Sequence, residues 1–107
     1  MSVKLLNAAT ATGASPAWKV NATPSKHSVQ VTITGAPTAV TVDLEGSLDG
    51  NTWASLASHI MTAAELTAAA ALFHVIDKPV RRVRTNLTVL TAGTSPTVTT
   101  IYTQEGP

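Results

Sequence analysis

Asp43 and Glu45 are the first residues in this chain whose types and spacing could do chemistry. Two residues apart on an alternating segment, their carboxylates share one strand face, as an acid/base pair or a calcium site requires. Asp49 follows close behind. The same spacing also fits a solvated β face whose charges deter foreign strands from pairing, and with no base or metal-spaced His nearby this second reading is favoured. His27, His59 and His74 are predicted to lie in separate loops or strand ends, without the close spacing of zinc ligands. The chain has no Cys, no Gly-x-Ser-x-Gly elbow and no glycine-rich phosphate loop. The expectation is a protein that is not an enzyme, with no catalytic residue, metal or cofactor.

Lys78, Arg81, Arg82 and Arg84 bring together four of the seven cations. On a strand Arg82 and Arg84 share a face, which reads either as a solvated surface or as a contact for an acidic partner. A protein partner is favoured over nucleic acid, because aromatics make up only 4% of the chain and the formal net charge is only +1. No membrane segment is expected either, since the longest low-polarity run, Ala68 to Phe73, cannot cross a bilayer. Ser47-Leu48-Asp49-Gly50-Asn51-Thr52-Trp53 resembles the Asp-box of sialidase-like propellers but is one residue short, and it reads as a turn in which Trp53 anchors the returning strand. The sequons at Asn21 and Asn86 carry meaning only on a secretory route.

These residues need a scaffold, and 107 residues make one domain. Hydrophobic residues are 44% of the chain, mostly small aliphatics, while Thr interleaved with Val gives a β composition. Ser28 to Thr34 alternates cleanly, Val40 to Glu45 resumes after Gly35-Ala36-Pro37, and a third strand follows Asp49-Gly50-Asn51. Thr62-Ala63-Ala64-Glu65 reads as a capping box opening a short helix, with Leu66, Ala69, Ala70 and Phe73 at helical spacing. Val80 to Leu90 is a long strand with Val83, Thr85, Leu87 and Val89 on one face, and Thr97 to Thr103 closes the fold. The prediction is all-β: an antiparallel β-sandwich, jelly-roll-like, of seven or eight strands with one short helix near 62–73.

Residues 1–16 read as an extended N-terminal arm, and 17–107 as the single sandwich domain. Val3, Leu5 and Leu6 in the arm have no local partner strand, which suits addition to a neighbour's sheet. A small core without disulfides gains stability from subunit contacts, so a homo-oligomer, trimer or dimer, is expected.

Val40 to Trp53, Val80 to Leu87 and Thr91 to Val98 resemble stretches of small virion proteins of tailed bacteriophages. The resemblance implies a jelly-roll cement or decoration protein on the outside of the capsid, bound to the major capsid protein or another virion protein. It implies a virion location, after synthesis in the bacterial host cytoplasm. The contact residues would be Val3, Leu5, Leu6, Lys78, Arg81, Arg82 and Arg84. A phage tail, baseplate or fibre-attachment domain is the alternative of the same class, and a carbohydrate-binding sandwich module is the alternative of another.

Overall fold

Alternation carries through to the fold in the strand Lys26–Thr34, where every second side chain from His27 to Ile33 is buried and the others face outward. The computed structural model describes residues 2–20 and 26–105. Met1 and the sequon at Asn21 lie outside the described residues. The strands are β1 (Ser2–Ala9), β2 (Gly13–Ala14), β3 (Trp18–Lys19), β4 (Lys26–Thr34), β5 (Ala39–Ser47), β6 (Ala54–Ile60), β7 (Ala70–Val75), β8 (Arg82–Thr91) and β9 (Thr97–Glu105). One helix, α1 (Ala63–Ala68), joins β6 to β7.

The pairing defines the topology. β1 pairs β9, β2 and β3 both pair β8, β4 pairs β7, and β5 pairs β6, all antiparallel. With β2 and β3 counted as one interrupted strand, this is a long hairpin ribbon folded at the β5–β6 turn. Rolling the ribbon adds the contacts of β4 with β9 and of β5 with β8. The outcome is two sheets, β1-β9-β4-β7 and β2-β8-β5-β6, in the strand order of a jelly roll. Between them lies a core of Val29, Val31, Val42, Leu44, Val83, Leu87, Val98 and Tyr102, all essentially inaccessible to water.

The expected free arm is an edge strand. β1 lies along β9, and an extra residue at Leu5 lets Leu5 and Leu6 both turn inward, each 8% exposed. Val3 packs against the same core. These three side chains are therefore structural, and the boundary expected at residue 17 falls inside the sandwich. The second half of the expected arm contributes β2 and a buried Ser15.

Two further readings are corrected by local geometry. The capping box is present: Thr62 Oγ1 accepts from the Glu65 N–H and Glu65 accepts from the Thr62 N–H. The helix stops at Ala68 because Ala69 turns left-handed, and Ala70 to Val75 then run as a strand, so Phe73 reaches the core from β7. In β8 the inward face holds through Leu87, but Val42 pairs Leu87 while Thr41 pairs Val89. The extra residue at Thr88 flips the phase, exposing Val89 and turning Leu90 onto the core.

The two outer faces differ. On the β5–β8 sheet the outward residues include Asp43, Glu45, Arg82 and Arg84. On the β4–β9 sheet they are Ser28, Gln30 and Thr32, then Thr99, Ile101 and Thr103, with Leu72 and His74 from β7, and the centre of that face holds no Lys, Arg, Asp or Glu.

Candidate functional site

Three segments meet at one end of the sandwich: the β5–β6 turn, the β7–β8 connection and the start of β8. The turn builds itself from its own side chains. Ser47 Oγ accepts from the Asp49 and Gly50 N–H groups and donates to Asp49 Oδ1, which also accepts from the Asn51 and Thr52 N–H groups at 2.8 Å each. Those backbone donors hold the Asp49 carboxyl down at about 2. The segment is thus the turn device expected of it, and Asp49 Oδ1 is committed to the loop.

The β7–β8 connection is tied down beside this turn. The Arg81 N–H donates to the Ser47 carbonyl at 3.0 Å, and the Arg81 carbonyl accepts from the Val20 N–H at 2.9 Å. The Lys78 carbonyl accepts from His27 Nε2 at 2.9 Å. Val80 drops into the end of the core over Gly46, where a Cβ would lie 2.7 Å from Val80 Cγ1. Only a glycine permits that approach. Gly46→Ala is expected to cost about 1–3 kcal/mol by overpacking and to displace the connection, seen as a lower melting temperature. A mostly apolar cleft of about 390 Å³ opens here, lined by Leu48, Ala54, Leu56, Pro79 and Val80, with Asp49 and Thr52 also in its wall.

The four cations predicted as a contact group divide into two kinds. Arg84 is engaged within the molecule: its Nε donates to Glu45 Oε1 at 2.6 Å, and its guanidinium lies 4.3 Å from the Trp53 ring centre. Trp53 therefore packs on the outer face under Arg84, and the expectation that it anchors the returning strand is corrected to that extent. Glu45 also accepts from Asn86 at 3.2 Å, so its carboxylate serves a surface ion-pair network. Asp43 is a ladder step away with Oδ1 buried and without a hydrogen-bond partner. The remaining cations adjoin the cleft in sequence: Lys78 and Arg81 flank its lining residues Pro79 and Val80 and are exposed, and Arg82 lies across Gly50 in the neighbouring turn. Their side chains meet no carboxylate among the described residues.

The three His stay apart. His27 is buried against Tyr102, His59 bonds Glu65 at 3.1 Å and stacks on Phe73, and His74 bonds Ser28 at 2.8 Å. Among the described residues no three His, Asp or Glu gather to hold a metal ion. The apolar cleft was not legible in the sequence. Leu48, Leu56 and Val80 read as strand or turn residues, and only the roll of the ribbon brings them to one mouth.

No family model matches the chain, and no curated protein matches it. Solved structures do. The SPBc2 prophage-derived protein YomS superposes with a TM-score of 0.58 at 13% identity, over 95% of this chain and 90% of that one. The PBSX exported protein XepA superposes with a TM-score of 0.63 at 13% identity over 100% of this chain, which spans only 37% of the length of XepA. At such identities the likeness lies in the fold: this all-β sandwich is shared with a prophage-derived protein and with part of an exported one.

Proposed function

We propose that the protein is a structural, non-catalytic virion protein of a tailed bacteriophage, seated on the outside of the capsid as a cement or decoration subunit. Docking uses the loop end of the sandwich. The observation that carries this reading is a mostly apolar cleft, with Asp49 in its lining, next to the exposed Lys78 and Arg81 and to Arg82, none of which forms an ion pair among the described residues. An apolar centre with a cationic rim is the layout of an interface that steers an acidic partner and then buries its apolar anchor. The prophage origin of YomS, which has the same fold, supports the virion setting, and the resemblance of the strand segments to small virion proteins supports the capsid.

The test is binding of the purified protein to capsids that lack it. Lys78→Glu with Arg81→Glu is expected to weaken binding at least about tenfold at low salt, with the difference shrinking as salt screens the rim. Leu48→Asp in the cleft should weaken it at all salt concentrations. Unchanged binding in both variants overturns the docking face. Imaging of the particle distinguishes the capsid from the tail, and a protein found at the baseplate or fibre replaces the capsid reading.

A further inference from the structure

Each sheet of the sandwich has two edges, and three of the four are protected against pairing with another chain. β1 carries Lys4 and two register shifts against β9. β2 and β3 are two residues each, with Pro16 between them. β6 has an extra residue between Ser55 and Ala57, opposite Leu44 and Glu45. Bulges, lysine, proline and short length are the usual devices that keep an edge from acquiring a foreign strand.

β7 has none of them. Its six residues, Ala70 to Val75, pair with Thr32 to His27 without a shift, and none is Lys, Arg, Asp, Glu or Pro. The Ile33 N–H donates to the Ala69 carbonyl, and bonded pairs alternate in an antiparallel ladder. Ala71, Phe73 and Val75 therefore bond to β4, while the N–H and C=O groups of Ala70, Leu72 and His74 point to the open edge. Leu72 is 57% exposed and Ile76 beyond it 62%. The edge is thus regular and free of Lys, Arg, Asp and Glu, with exposed Leu72 beside His74 on its outer face, and it borders the centre of the β4–β9 face, which holds no Lys, Arg, Asp or Glu.

We infer that β7 is the surface on which a second copy of this chain pairs, strand β7 against strand β7 antiparallel about a two-fold axis at Phe73. The occupant follows from the strand itself. With the axis there, Leu72 of one copy opposes His74 of the other, and Ala70 opposes Ile76, so large side chains meet smaller or flat ones. No like charges face each other along the strand. Antiparallel pairing also sets the α1 end, with Glu65 and no cation, beside the cationic β7–β8 connection of the other copy. Parallel pairing would set cations against cations. An isologous contact of this kind closes at two copies and joins the two β1-β9-β4-β7 sheets into one of eight strands.

The test uses the isolated full chain without particles, so its outcome is separate from the docking reading. Sedimentation equilibrium should give a dimer. Leu72→Lys places a lysine on the outer face of the edge without touching the bonds to β4, and it should raise the dimer dissociation constant about tenfold or more while the β circular dichroism spectrum is retained. Because the natural chain has no cysteine, Leu72→Cys with His74→Cys should give an intermolecular disulfide on mild oxidation. A monomer at the highest soluble concentration, a trimer, or a dimer that Leu72→Lys leaves unchanged overturns the proposal.

Discussion

Thr100→Val is expected to lower stability by about 2–4 kcal/mol, although it exchanges one atom for another of nearly the same size. Thr100 and Thr85 are each 0% exposed, one from each sheet, and their hydroxyls meet across the core at 2.8 Å. Thr100 Oγ1 also accepts from the Leu6 N–H at 2.9 Å, so it fastens β1 to the sandwich. On the other side the Thr85 N–H donates to Ser15 Oγ at 3.0 Å. Valine at 100 leaves two buried groups without partners, the Leu6 N–H and the Thr85 hydroxyl, and each such orphan costs about 1–3 kcal/mol. For a domain of this size the loss is a fall of roughly 10–25 °C in melting temperature.

Thr85→Val removes one partner of the same pair but leaves the Leu6 N–H satisfied, so it should cost about half as much. In the double variant only the Leu6 N–H is orphaned. It should then be no less stable than Thr100→Val alone, against simple addition of the two single effects. Chemical denaturation of the four proteins measures this cycle. Additive losses would show that the hydroxyls do not act as a pair.

The same two threonines show how far sequence reading reaches. Alternation along β8 and β9 places Thr85 beside Val83 and Leu87 and sets Thr100 between Val98 and Tyr102, so both are legible as inward residues. That they meet is set by how the ribbon rolls, which no local pattern encodes. The failures have a common cause as well. Leu5 and Leu6 break alternation, and without the extra residue in β1 they look like a sticky arm; Thr88 does the same to the end of β8. A bulge is one unpaired residue, and it leaves no mark in composition or period. The cationic group was legible as a cluster, yet its division into an engaged Arg84 and an outward Lys78, Arg81 and Arg82 depends on Glu45 and Trp53 arriving from β5 and its turn.

Acid should weaken this protein through His27, which is 2% exposed near the start of β4. Its tautomer is dictated by its neighbours. The Lys78 carbonyl can only accept, so Nε2 carries the proton and donates to it at 2.9 Å, and Nδ1 accepts from the Tyr102 hydroxyl at 2.6 Å. Burial pushes the imidazole pKa below its ordinary 6.5, and the bond to the Lys78 carbonyl offsets that only in part. Burial likewise pushes the Tyr102 phenol up, which keeps it a donor across the accessible pH range. In the unfolded chain His27 takes up a proton near its ordinary pKa, whereas the folded protein resists it. Between the two pKa values the unfolded state binds more protons, so stability is full above about 6.5 and falls as pH drops through the lowered folded value. A protonated ring would reverse one bond, with Nδ1–H donating to the Tyr102 oxygen and the hydroxyl proton turned away from it, while Nε2–H still donates to the Lys78 carbonyl. His27→Ala removes both bonds and the ring, at an expected cost of about 3–5 kcal/mol, a large part of the stability of a domain this size. Tyr102→Phe is the sharper probe. It should be less stable than the natural protein at pH 7.5, because Nδ1 loses its donor, and lose more between pH 7.5 and 5, because a charged Nδ1–H then has no oxygen to donate to. Thermal melts of both proteins over that range decide the matter, and parallel declines would mean that the acid response arises elsewhere in the molecule.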